Sequence, residues 1–117
     1  MKTNLRQLMQ ELGFTCLAGE AYLDRHTEGA YLTDLLSDAM GKAEAGMLWI
    51  TSQVHRNIVA VASLKELSAI IVVNERPVEP EVLAHAEEEG VVILSSGKPA
   101  FETAGMVYNY LREVECW

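Results

Sequence analysis

The chain has 117 residues, half of them hydrophobic and 22% charged, with 17 acidic side chains against 9 basic ones and a formal net charge of −8. That length suits one domain with one core, and the composition excludes extended disorder. The negative balance would repel a phosphate backbone, which argues against general nucleic-acid binding, and no apolar run reaches the ~18 residues of a membrane span.

In chain order, helical and extended patterns alternate, which predicts an α/β domain, a single domain over 1–117 with a mostly parallel sheet of about five strands flanked by helices. Thr3 is placed to cap a first helix in which Leu5, Leu8, Met9 and Leu12 share one face, with Gly13 as its stop. Phe14 to Leu17 reads as a short strand, and Ala21 to Leu23 as a second one leading into a polar loop. Leu32 to Ala45 reads as a helix with Leu35, Leu36, Ala39 and Met40 turned inward. Residues 47–51 form a buried strand. Asn57 to Leu67 is rich in β-branched residues, yet its length and its place between two strands predict a crossing helix. Residues 69–73 are apolar throughout, as expected of a parallel strand covered on both faces. Pro80 suits the first turn of a helix that runs to Glu89 and closes at Gly90. Val91 to Leu94 is a further strand, and residues 95–99 form a turn that opens a last helix through Glu113.

The polar loop holds Asp24-Arg25, Thr27 and Gly29, with His26 and Glu28 interposed and Ala30 following. This run resembles a degenerate form of the DRTGG-domain signature. The order of Ser37-Asp38, residues 46–51, His55, Ala60, Ala62 and residues 68–73 is similar to the N-terminal domains of HPr kinase and of Mur ligases. The resemblance implies a sheet flanked by helices, often a homodimer, and a regulatory or docking role in place of catalysis. Small members of the family resemble accessory proteins of redox or hydrogenase systems. The chain has no P-loop: Gly97-Lys98 is followed by Pro99, which removes an N–H that a phosphate cradle needs.

Three loops are candidate ligand sites. In the first, Arg25 offers a guanidinium fork, with Thr27 and the Gly29 backbone as further donors and Asp24 alongside. The alternative is a turn in which Asp24 and Arg25 pair with each other or cap a neighbour. In the second, Thr51, His55, Arg56 and Asn57 follow a buried strand and precede a helix, where open α/β sheets place ligands. Here the alternative is plain helix capping by Ser52 or Asn57. In the third, Ser95 and Ser96 open the last helix and either receive a phosphate or cap it. Metal binding is not expected, because His26, His55 and His85 lack a second His or Cys at ligand spacing, and Asp34 and Asp38 read as two solvated carboxylates. Cys16 and Cys116 are too few for a disulfide framework or a cysteine-held cluster, so the expectation is a reduced, cytoplasmic protein without a cofactor, with Cys116 beside Trp117 oxidisable. On the last helix Phe101, Met106, Tyr110 and Val114 suit either the core or a second subunit.

The function expected from these features is a non-catalytic regulatory module, homodimeric, that binds a nucleotide or small phosphorylated metabolite or tunes a larger partner enzyme. The alternatives are a pure interaction scaffold, and a small enzyme acting on a phosphorylated metabolite with Asp38 and His55 as its acid–base pair.

Overall fold

The computed structural model describes residues 3–114. The chain opens with β1 (Thr3–Asn4), α1 (Leu5–Leu12) and β2 (Thr15–Ala18), and a 3-10 turn over Glu20–Tyr22 then leads to β3 (His26–Thr27) and β4 (Ala30–Leu32). The rest alternates: α2 (Leu36–Lys42), β5 (Leu48–Thr51), α3 (Asn57–Leu64), β6 (Ala69–Val72), α4 (Pro80–Glu89), β7 (Ile93–Ser95) and α5 (Ala100–Glu113). Among the described residues, five strands form one sheet in the order β2-β7-β6-β5-β4, parallel except for β2, which runs antiparallel to β7. β1 and β3 pair antiparallel as a separate ribbon.

The sheet is covered on both faces, and the period of two along each strand divides the core accordingly. Trp49, Ile70, Val72 and Ile93 pack against α2, α3 and α4, whereas Leu48, Ile50, Ile71 and Leu94 pack against α1 and α5. This two-sided burial is why residues 69–73 read as an unbroken apolar run. Trp49 is fully buried, and its Nε1–H donates to the Thr33 carbonyl at 2.9 Å.

Several elements differ from the sequence expectation. The cap of α1 is Asn4, one residue after Thr3: Asn4 Oδ1 accepts from the Gln7 N–H at 2.9 Å, and Gln7 closes a capping box. Thr3 is instead a β1 residue whose hydroxyl lies 2.7 Å from that of Tyr110. Residues 20–22 form the 3-10 turn where a strand was expected, because Gly19 is in the left-handed region at φ +82°. A Cβ on Gly19 would meet the Val91 carbonyl oxygen and Val92 Cα at 2.8 Å, so only glycine fits there. The helix expected from Leu32 begins at Leu36, and Leu32 belongs to the edge strand β4. Leu35 and Met40 consequently face solvent, Leu35 at 66% exposure, and Ala39 and Leu36 alone of that set pack inward.

Candidate functional site

The four parallel strands bring their carboxyl ends to one end of the sheet, and Asp34 organises the loops there. Its carboxylate accepts from the Ser52 N–H at 2.7 Å, the Ser52 hydroxyl at 2.8 Å and the Thr51 hydroxyl at 2.9 Å. The Ser52 amide foremost, then the two hydroxyls and the nearby Arg76 charge, hold the Asp34 carboxyl below its ordinary pKa against a smaller opposing effect of burial. Arg76 also donates to the Ser52 carbonyl. Thr51 is buried and spoken for on both sides, since its Oγ1 also accepts from the Gln53 N–H. His55 Nδ1 accepts from the Asn57 N–H at 3.1 Å at the start of α3, while the side chains of His55, Arg56 and Asn57 face solvent. Ser96 is buried, with its hydroxyl 2.8 Å from that of Thr103 and accepting from the Lys98 N–H, so it fixes the turn before α5; the N-cap of that helix is Pro99, and neither Ser95 nor Ser96 caps it. Ser95 is half-buried at the end of β7.

Beside these loops, α3 and α4 enclose a cleft of about 380 Å³ lined by Arg56, Asn57, Ala60, Glu81 and His85. Glu81 and His85 lie one turn apart on the same side of α4. The cleft therefore joins two side chains foreseen from the sequence to two that were not. It offers a guanidinium, an amide, an imidazole and a carboxylate, a set able to donate to an anion and accept from a hydroxyl or amine. Its volume is within the range of small-molecule sites.

The loop 24–29 lies at the opposite, amino end of the sheet, and the structure does not bring it together with Thr51, His55, Arg56 and Asn57. Asp24 makes an exposed ion pair with Arg6 at 3.1 Å. Arg25 reaches across the sheet end: its guanidinium donates to the Gly90 carbonyl at 2.9 Å and to the Ser68 carbonyl at 3.3 Å, and sits 5.1 Å from the centre of the Tyr22 ring. Thr27 is buried, donating to the Gly46 carbonyl at 3.2 Å and accepting from the Ser68 hydroxyl at 2.9 Å. Gly29, at φ +88°, turns the chain into β4, and its carbonyl accepts from Leu48. The hollow beside Arg25 is about 300 Å³ and is bordered by Glu66 and Glu89, which disfavour an anion.

Among the described residues no group of three His, Cys, Asp or Glu side chains converges as metal ligands. Burial pushes the Cys16 thiol pKa up, against the thiolate a nucleophile needs. Cys116 and Trp117 lie outside the described residues. Asp38 accepts from the Tyr31 hydroxyl at 2.9 Å and no hydrogen bond links it to His55, so the two do not form a joined acid–base pair.

The profile of the DRTGG domain matches residues 7–110. The chain belongs to the DRTGG domain family. In this DRTGG domain the signature arginine and threonine bind backbone carbonyls, and the position of the second glycine, Ala30, is an ordinary strand residue packed against the α1–α5 side of the core. A solved structure titled as the CBS and DRTGG domains of the regulatory region of Clostridium perfringens pyrophosphatase, complexed with the activator diadenosine tetraphosphate, has a similar fold: TM-score 0.70 at 13% identity over 90% of this chain. The chain spans 46% of that one. Among curated proteins, none matches the sequence significantly.

Proposed function

We propose that residues 1–117 act as one regulatory DRTGG domain, which senses a nucleotide or small phosphorylated metabolite and tunes a partner enzyme without catalysing a reaction itself. The observation that carries this reading is the α3–α4 cleft, where Arg56 and Asn57 at the start of α3 face Glu81 and His85 across about 380 Å³. In this reading a phosphate lies against the side chains of Arg56 and Asn57, with His55 and Thr51 shaping the loop beneath it and Ser95 and Ser96 bordering the same sheet end. Glu81 accepts from a sugar hydroxyl or a base amine. The regulatory region of the C. perfringens pyrophosphatase, which contains CBS domains as well, is complexed with a nucleotide activator. That precedent supports the ligand class.

Asp24, Arg25, Thr27 and Gly29 are assigned to the frame of the domain in this reading. The likeness to the N-terminal domains of HPr kinase and Mur ligases, a setting in a redox or hydrogenase system, a cytoplasmic location and a homodimer belong to the same proposal. Among the described residues no helix is long and apolar enough to cross a membrane. Sedimentation equilibrium tests the dimer, and a monomer mass at all concentrations would refute it.

The deciding experiment is thermal melting against adenine, guanine and uridine nucleotides and common phosphorylated metabolites. A ligand at ~100 times its Kd adds about 2.7 kcal/mol, which raises the Tm of a domain of this size by roughly ten degrees. Arg56→Ala and His85→Ala should each abolish most of that shift while leaving the unliganded Tm within a degree or two. A flat panel would refute the sensing reading and favour a second one, a docking module without a small-molecule ligand. An apolar groove between β4 and α5 supports that second reading.

A further inference from the structure

The α3–α4 cleft has few groups to spare for an anion. The amides that open α3 are taken within the chain: the Asn57 N–H by His55 Nδ1, the Ile58 N–H by the His55 carbonyl and the Val59 N–H by the Arg56 carbonyl. What remains is the Arg56 guanidinium and the Asn57 side-chain amide, both on solvent-facing residues and, among the described residues, in no hydrogen bond or ion pair. Arg76, the next cation along this end of the sheet, is held by the Ser52 carbonyl beside Asp34. Lys98 lies in the turn leading to α5, the helix of the other face.

Across the cleft stands a carboxylate. Glu81 lines it with His85 one turn behind on α4, and Glu88 follows at the next turn of the same side. Glu87 accepts from the Gly19 N–H, but neither Glu81 nor Glu88 has a side-chain partner among the described residues. Further along the same two helices lies the hollow bordered by Glu66 and Glu89. One guanidinium therefore meets the whole negative charge of a ligand, opposite a free carboxylate, on a chain of −8. A triphosphate would leave most of its charge unpaired beside Glu81, whereas a single phosphate group brings only about −1.5 to −2. Size agrees with charge. At about 380 Å³ the cleft is near the lower end of the ~300–1,000 Å³ of small-molecule sites, room for one compact body and not for a dinucleotide. Ala60, one turn after Arg56, offers a methyl floor on which such a body can lie with its edge toward Glu81 and His85. The Glu81 carboxylate only accepts, so that edge must carry donors, an amine or hydroxyls.

We propose that the ligand of this cleft carries a single phosphate on a compact body with hydrogen-bond donors, a nucleoside monophosphate or a sugar phosphate, and that Glu81 is the residue that turns polyphosphates away. The phosphate lies on Arg56 and Asn57, and the donor edge on Glu81 and His85. This rests on the sensing reading and narrows it. The activator in the C. perfringens structure, a tetraphosphate joining two adenosines, is too large and too highly charged for this cleft.

The test is calorimetric titration of the full chain, with amide spectra of the isotope-labelled protein. The probes are the adenosine, cytidine, guanosine and uridine monophosphates, ribose 5-phosphate, adenosine, adenosine triphosphate and diadenosine tetraphosphate. At least one single-phosphate probe should bind about tenfold or more tighter than the triphosphate and the tetraphosphate, with shifts at residues 56–60 and 81–85. If that probe is adenosine monophosphate, adenosine itself should bind more weakly by a similar factor, because Arg56 then has nothing to hold. Comparing the nucleotides with ribose 5-phosphate tells whether a base or sugar hydroxyls meet Glu81, and either result supports the proposal. Glu81→Gln keeps the shape and removes the charge, and should narrow the preference about two- to fivefold, the size of one screened charge contact. Salt at about 0.5 M should narrow it in the unmodified chain, which keeps the test open should the variant fail to fold. Equal or tighter binding of the triphosphate, or a preference that neither Glu81→Gln nor salt alters, would overturn the inference while the sensing reading stands. Shifts away from α3 and α4, or no binding by any probe, would overturn both.

Discussion

Arg25 is the residue for which the sequence leaves two readings open, an anion site or a turn that caps a neighbour. A guanidinium beside a threonine and a glycine in a polar loop has the chemistry of an anion site, and the sequence alone cannot distinguish that from a structural clamp. Its contacts are those of a clamp: two backbone carbonyls, from the residue before β6 and from the C-cap of α4, take its N–H groups, and Tyr22 lies beneath. Charge-assisted hydrogen bonds of this kind contribute about 1.5–3 kcal/mol each where they are shielded from water, and Arg25 is half-buried. Arg25→Ala should therefore lower the unfolding free energy by about 2–3 kcal/mol in urea titration, with Arg25→Lys recovering only part because one ammonium cannot reproduce the fork. A loss below about 0.5 kcal/mol, the level of a surface substitution, would refute the clamp.

At the scale of elements, the long interior segments were legible and the short edge ones were not. β5, β6 and α4 announce themselves by an apolar run, a second apolar run, and a Pro-to-Gly span. β4 has three residues, and the apolar spacing from Tyr31 to Met40 satisfies a helix as well as a strand followed by a helix, so periodicity alone placed the start of α2 too early. Half of the cleft was legible too. Arg56 and Asn57 follow a buried strand, the expected place for a site, but Glu81 and His85 sit on a polar helix face that looks like any solvated one. Asp34 was read as one such solvated carboxylate, whereas it ties the β4–α2 loop to the β5–α3 loop. Because its pKa in the folded protein lies below the unfolded value near 3.9, the unfolded chain takes up the proton first as pH falls. The stabilisation it brings is thus complete above about pH 4–5 and is lost as pH drops through the folded value. Asp34→Asn should be less stable than the parent at pH 7, with the gap between their urea midpoints narrowing toward pH 3. A gap independent of pH would show that the carboxylate's charge plays no part.

For the molecule as a whole, the parallel arrangement separates two tasks in space. The amino ends of the strands are closed by the signature loop, and the carboxyl ends open into the α3–α4 cleft. A ligand bound between α3 and α4 would therefore act on the helices of one face, while the β4–α5 groove belongs to the other. The two are joined by the sheet itself, through Trp49 on one side and Leu48 and Ile50 on the other. The signature residues Arg25 and Thr27 thus tie the amino end of the sheet together through backbone carbonyls.

That tie has a kinetic side. The bond from Arg25 to Gly90 links positions 65 residues apart, across β4, β5, β6 and α4. Long-range contacts repay their loop-closure entropy late, so the expectation is that the clamp forms after the rate-limiting step of folding. Breaking it should then leave the refolding rate of the Arg25→Ala protein nearly unchanged and appear almost wholly as faster unfolding, about thirtyfold or more for a loss of about 2–3 kcal/mol. In stopped-flow traces the signature arginine would show itself as a latch on the finished fold, setting how long the domain stays closed once it has formed.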